Sequence, residues 1–149
     1  MRLILASSSP RRAELLRAAH FEFDIVPAPI DERTRPDERP EDYVLRLASG
    51  KSAAAQSSIV RNDALVLGAD TAVVVGTEIL GKPEDDADVG RMRRLLSGRA
   101  HQVITGVSVR RRAQEIREVE ITTVWFTTLT AQEMDWYVGS GEGRDKAGA

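Results

Sequence analysis

The stretch ILASSSPRR, Ile4 to Arg12, is an apolar run that stops at three serines, a proline and two arginines. RLILA, Arg2 to Ala6, reads as a short buried strand. Ser9 is placed as an N-cap and Pro10 as the first helical residue, so a helix is expected from Pro10 to Ala19. A strand that runs through small residues into a helix N-terminus is how an α/β chain begins. It is also an anion site, because backbone N–H groups and the positive dipole end face the loop. Serine hydroxyls add donors, and Arg11 and Arg12 add charge in a fork suited to phosphate oxygens. Arg12 falls in line with Leu15, Leu16 and Ala19, which predicts that it turns inward with that stripe. The competing reading is a capped helix with two solvated arginines.

The same alternation continues along the chain. FEFDIV, Phe21 to Val26, is a second strand, and the charged, proline-rich stretch Ala28 to Asp42 is a loop. A helix follows over Pro40 to Ser58, with Val44, Leu47, Ala48 and Ala55 on its apolar stripe and Lys51 on the same face. ALVLGADTAVVV, Ala64 to Val75, is strongly β but is expected to break at Gly68-Ala69-Asp70-Thr71. Gly76 and Thr77 turn the chain into EIL and then Gly81-Lys82-Pro83. Glu84 to Leu96 is a helix with acids first and arginines later, as its dipole favours, and buries Val89, Met92 and Leu96. Gln102 to Arg111 and Glu118 to Leu129 form a hairpin across Arg112 to Gln114, and Thr130 caps a last helix over Ala131 to Val138. Alternating strands and helices predict an α/β fold with a mixed sheet, in one domain or in two lobes that share the sheet.

Composition narrows the function. The 149 residues carry 23 acids and 21 bases, for a net charge of −2. That balance argues against a general nucleic-acid binder. No cysteine is present, so disulfides and thiolate metal sites are excluded, and two histidines do not make a histidine cage. No apolar run is long enough to span a bilayer, and the N-terminus does not read as a secretory signal, so a cytoplasmic protein without a membrane partner is expected.

The charged residues then sort into a site. Lys51 alone is a lysine snorkelling at the edge of a buried face, but beside the arginines it is a second phosphate ligand. Asp31 and Glu32 are loop acids that say little alone. Asp70 sits inside a strand apolar on both sides, where a carboxylate is costly unless it is paired or holds a metal. Its structural alternative is an acid bonded to backbone amides in a turn. Lys82, between a glycine and a proline, is rigidly presented to Asp70 or to a phosphate. No GxGxxG, GxxxxGK[ST] or GxSxG is present, and His101 reads as structural or surface. Cations, carboxylates and a helix end together fit hydrolysis of a nucleotide polyphosphate. Carboxylates would hold Mg²⁺ or a similar hard cation, and one of them would deprotonate the attacking water.

LILASSSPRRAELL, Asp31-Glu32, YVLRLASGKS, LGADTAVV, LGKP, LSGRAHQVITGV and DKAGA occur in the order of, and resemble, the Maf family of nucleoside triphosphate pyrophosphatases. The resemblance spans nearly the whole chain. It implies a cytoplasmic enzyme that cleaves a nucleoside triphosphate to the monophosphate and pyrophosphate with a divalent cation, Mg²⁺ or Mn²⁺. The implied fold is similar to that of the inosine triphosphate pyrophosphatases, a long mixed sheet flanked by helices with a cleft between two lobes. Homodimers are common in the family, which is also linked to arrest of septum formation.

Carried over by position, Asp70 matches the family's general base, and Glu32, Lys51 and Lys82 match its catalytic cleft residues, with Glu32 and Asp70 as metal ligands. Ser7, Ser8, Arg11 and Arg12 match its phosphate loop, and Arg11 and Thr71 match positions tied to substrate choice. The SPRR and ADT forms resemble the subgroup acting on dTTP and UTP, which brings in modified pyrimidine nucleotides as well. Family members continue past DKAGA into a Tyr-Gly-x-Gln-Gly segment that includes a base-reading glutamine. Residues 1–149 are therefore expected to form a single Maf-like domain lacking the family's C-terminal segment. The alternatives are a non-catalytic nucleotide-binding module regulating cell division, and an interaction domain in which SSSPRR is a phosphorylation site.

Overall fold

The computed structural model describes residues 2–59 and 63–149. In chain order the elements are β1 (Leu3–Leu5), α1 (Pro10–Ala18), β2 (Phe23–Ile25), α2 (Pro40–Ser58), β3 (Leu65–Val75), β4 (Glu78–Leu80), α3 (Asp86–Leu96), β5 (Ala100–Arg111), β6 (Gln114–Trp125) and α4 (Ala131–Ser140). The six strands form one mixed sheet in the order β2-β1-β3-β5-β6, with β4 paired to β3 off that path. β1 lies parallel to both β2 and β3, with Ile4 opposite Asp24 and Val66, while β4 runs antiparallel to β3 with Val74 opposite Ile79. Parallel neighbours need crossovers, and the helices α1 and α2 supply them.

The chain divides into two compact units, residues 1–70 with 105–119, and residues 71–104 with 120–149. The first has a core of Ile4, Ala6, Ala55, Ala64 and Val66, against which Val26, Ala28 and Ile59 pack. The second is built on Val73, Val75, Leu80, Val89, Met92 and Leu96. In the second unit α3 buries Val89, Met92 and Leu96 and takes Asp85 as N-cap through a bond to the Asp88 N–H at 2.7 Å. α4 carries a full capping box between Thr130 and Glu133 and ends at Gly141 in the left-handed region.

Several expectations need correction. The break foreseen at Gly68–Thr71 is absent, and β3 is continuous through it. Gly68 serves packing instead: a Cβ there would lie 2.2 Å from the Ala48 carbonyl oxygen and 2.8 Å from the Ser52 N. Gly106 does the same on β5, where a Cβ would come 2.6 Å from the Val44 carbonyl. Two glycines thus let α2 lie directly on the sheet. On α1 the inward residue is Ala13, while Leu15 is 70% exposed and Ala19 is exposed too. A nine-residue helix over a three-residue strand has little sheet to cover, so Leu15 and Ala19 stay in solvent while Arg12 and Leu16 on the same stripe are half-buried. β6 begins at Gln114 and ends at Trp125, four residues earlier than its apolar pattern suggests. It is the sheet's edge, so its first residues can be charged and still pair. The turn is correspondingly tighter, with Arg112 at φ 54.

Candidate active site

The site grows from α2 of the first unit. Helix periodicity turns Val44, Leu47, Ala48 and Ala55 onto the sheet, and this carries Lys51 to the inner edge of the same face. The Lys51 side chain is only 11% exposed, and its ammonium lies 2.7 Å from Asp70 Oδ1 and 2.8 Å from Glu32 Oε1. One lysine therefore joins a carboxylate from β3 to one from the loop after β2. Asp70 is buried in the strand, and Glu32 is half-exposed at the surface end of the bridge.

Burial pushes the Asp70 carboxyl above the usual carboxylate range, and the charges of Lys51 and Arg12 work against that shift. Arg12 is turned inward. Its guanidinium is pulled below its ordinary value by desolvation and sustained by the charges of Asp70 and Glu32. Arg12 Nη1 donates to Ser7 Oγ at 3.2 Å, and the same oxygen accepts the Ser9 N–H at 3.2 Å. Ser9 holds the N-cap conformation ahead of Pro10 without a side-chain cap bond. Ser7 is buried, while Ser8 and Arg11 are exposed at the same turn. Ser7 and Arg12 thus meet at the positive end of α1, Glu32 and Asp70 meet on Lys51, and Arg12 lies within the electrostatic reach of both acids.

Asp31, the other acid of the loop, is bound by the Arg33 guanidinium at 2.7 Å, which holds it well below the usual carboxylate range. The two adjacent acids therefore separate, one toward its neighbour and one toward Lys51. Thr71 and Lys82 belong to the second unit. Thr71 follows Asp70 in β3 and is half-buried, and Lys82 is exposed in the turn before α3. His101, in the second unit, is buried edge-on against Phe126 with ring centroids 4.7 Å apart, and desolvation lowers its pKa. That is a packing role.

Two groups of residues escaped the sequence reading. Tyr43 and Arg46 on α2 bind the loop that carries Glu32. On another face of α2, Ser49 and Ser52 join Ser108, Arg110 and Glu115, with Ser52 Oγ 2.7 Å from Ser108 Oγ and Ser108 Oγ donating to Glu115 at 2.8 Å. Arg110 completes the cluster with an ion pair to Glu115 at 2.9 Å. The signal available for the first group was spacing, since 43, 46 and 50 share a stripe. The second had no local signal, because its members come from three elements.

A divalent cation is what two neighbouring carboxylates can share. Mg²⁺ is commonly held by one or two carboxylates, with substrate phosphates and water completing its shell. Glu32 and Asp70, already converging on one positive charge, fit that requirement. No group of three or more histidines, cysteines or acids arranged for a metal occurs among the described residues. Among the same residues, no helix is long and apolar enough to cross a membrane.

The fold is that of an open α/β sheet also found in the Staphylococcus aureus Ham1 protein. That structure superposes with a TM-score of 0.54 over 83% of this chain and 70% of that one, at 16% identity. The Vibrio cholerae protein VC0702 gives 0.50 over 94% of this chain and 73% of that one, at 13% identity. At sequence level, residues 2–149 match the Maf-like protein family, and the chain belongs to it. A relative from Anaeromyxobacter dehalogenans named dTTP/UTP pyrophosphatase is 52% identical over 152 residues, spanning 99% of this chain and 75% of the relative. Relatives of the same name from Alcanivorax borkumensis and Vibrio parahaemolyticus are each 48% identical, over 100% and 99% of this chain and 77% of their own lengths.

Proposed function

We propose that the protein hydrolyses nucleoside triphosphates, dTTP and UTP foremost, to the nucleoside monophosphate and pyrophosphate. The observation that carries the reading is the meeting of Glu32 and Asp70 on Lys51, at 2.8 and 2.7 Å, with both acids acting electrostatically on Arg12. The names of the relatives supply the substrate class.

In this reading Ser7, Ser8, Arg11, Arg12 and the α1 N-terminus take the phosphate oxygens, and Arg12 is poised because it is already desolvated and directed by Ser7. Glu32 and Asp70 would hold Mg²⁺ or Mn²⁺, which when bound supplies charge neutralisation at the phosphates. Asp70 orients a water toward the linkage between the α- and β-phosphates and takes its proton. The water oxygen bonds to phosphorus, the anhydride P–O bond breaks, and pyrophosphate leaves. A carboxylate raised above its ordinary range is a stronger base than a free aspartate, which suits this task. Lys51 keeps Asp70 ionised until substrate arrives, then shares the charge growing on the phosphates. Lys82 is assigned to the phosphate chain, and Thr71 with Arg11 to substrate choice.

The test is pyrophosphate release from dTTP, UTP and modified pyrimidine triphosphates with Mg²⁺ or Mn²⁺. Wild type should turn over, with activity rising as pH passes upward through the Asp70 pKa. Asp70→Asn should lose at least about 10³-fold in kcat, the scale of a lost general base, while still melting at a higher temperature when nucleotide is added. Full turnover by Asp70→Asn removes it as the base. Thermal stabilisation of wild type by nucleotide, with no product formed, points to a regulatory module instead.

A further inference from the structure

Between β2 and α2 the chain runs from Val26 to Arg39 without a strand or helix, rich in charge and proline. Glu32 lies in this segment, so its carboxylate is only as well placed as the segment is held. The hold comes from one stripe of α2. Tyr43 Oη donates to the Glu32 carbonyl oxygen at 2.9 Å. Arg46 Nη2 donates to the Arg33 carbonyl at 3.0 Å, and the Arg46 guanidinium grips Glu38 in a fork at 2.6 and 2.7 Å. Glu38 in turn accepts the Arg35 N–H at 3.2 Å. Ile30 packs on Gly50, where a Cβ would come 3.2 Å from its Cδ1. Lys51 then takes the Glu32 side chain. Residues 43, 46 and 50 recur at helical spacing on α2, with Lys51 one position round from Gly50, and together they hold the loop from Ile30 to Glu38.

The Glu38 end of this hold is shielded. The Glu38 side chain is only 9% exposed, and Arg46 stacks over the Tyr43 ring at 5.5 Å to its centroid. The Tyr43 hydroxyl is the donor of its bond to the loop. The backbone carbonyl it grips belongs to the very residue whose carboxylate meets Lys51.

Resting on the functional reading above, we propose that Tyr43 and Arg46 are positioning residues that fix Glu32 opposite Asp70 for metal and substrate, acting through the backbone of residues 32 and 33 and through Glu38. Neither reaches the reacting atoms. Loss of Tyr43's hydrogen bond loosens the Glu32 backbone, and the cost falls on turnover more than on nucleotide binding, since the phosphates are held by Ser7 and Arg12.

Tyr43→Phe keeps the ring in place and removes only the hydroxyl. Its kcat for pyrophosphate release should fall about 10-fold, with the nucleotide KM changed by less than about 3-fold. The same substitution in a Glu32→Gln background should cause no further fall, because it acts through Glu32. Limited trypsin digestion reads the hold without reference to activity. Arg33–Thr34 is a scissile bond in the segment, whereas Arg35 and Arg39 each precede proline, which blocks cleavage. Cleavage at Arg33 should accelerate in Tyr43→Phe and further in Arg46→Leu, while melting of the folded chain stays cooperative.

Equal falls in kcat in both backgrounds, or unchanged cleavage at Arg33 in both variants, overturns the proposal. If wild type releases no pyrophosphate, the functional reading fails, and the cleavage rates alone judge the hold. If Tyr43→Phe does not fold, Arg46→Leu carries the same comparisons.

Discussion

Replacing Lys51 by methionine removes one charge and keeps most of the volume. In the folded chain Asp70 then loses a partner at 2.7 Å inside a largely buried site. At that separation the gross attraction is roughly 6 kcal/mol for an effective dielectric of about 20. Most of it offsets the cost of burying the two ions, and breaking such a pair costs ~3–5 kcal/mol when the orphan stays charged. Asp70 can take a proton instead, at about 1.4 kcal/mol for each pH unit its pKa moves. The expected loss is therefore ~2 kcal/mol at neutral pH, or about 4–8 °C in melting temperature for a chain of this size.

The sign of the pH dependence follows from Asp70. Burial already raises its folded pKa, and loss of Lys51 raises it further. A carboxyl with a raised folded pKa binds more protons folded than unfolded, so its contribution to stability falls as pH climbs above its ordinary value of about 3.9. The gap between Lys51→Met and wild type should thus be small in acid and widen toward neutrality. Calorimetric melts from about pH 4 to about pH 8 measure it. A deficit of the same size at every pH, or no deficit at all, refutes the electrostatic dependence of Asp70 on Lys51.

Gly68→Ala should cost at least about 2–3 kcal/mol, because its Cβ would lie 2.2 Å from the Ala48 carbonyl oxygen and α2 must lift off the sheet. A denaturant midpoint equal to wild type would contradict that packing. Arg12→Gln should weaken nucleotide binding about 10- to 100-fold, the scale of a charge-assisted bond to phosphate. Titration calorimetry checks it, and an unaltered Kd would take Arg12 out of the phosphate site.

The relation of sequence to site is uneven in an instructive way. α2 was legible to its ends, since Pro40 opens it, acids fill its first turn and Val44, Leu47, Ala48 and Ala55 recur at helical spacing. β1 was legible as an apolar run, and so was β3 apart from the break expected at Gly68–Thr71, where the strand in fact continues. On α1 the same periodic reasoning chose Leu15 and Ala19 as inner residues, yet Ala13 is the buried one. Periodicity names the residues that share a face, not whether anything covers it. β6 was read late because an edge strand can carry charge in its first residues.

What the amino-acid sequence determined by itself is the succession of strands and helices, the serine-rich turn into a proline-started helix, and the placing of Lys51 on the inner face of α2. All three are set by φ/ψ preferences and side-chain direction over a few neighbouring residues. Tertiary structure alone decided that Lys51 meets both Asp70 and Glu32, and that Tyr43 and Arg46 hold the Glu32 loop. Those partners lie on separate segments, and only the close seating of α2 on Gly68 and Gly106 brings them within bonding distance.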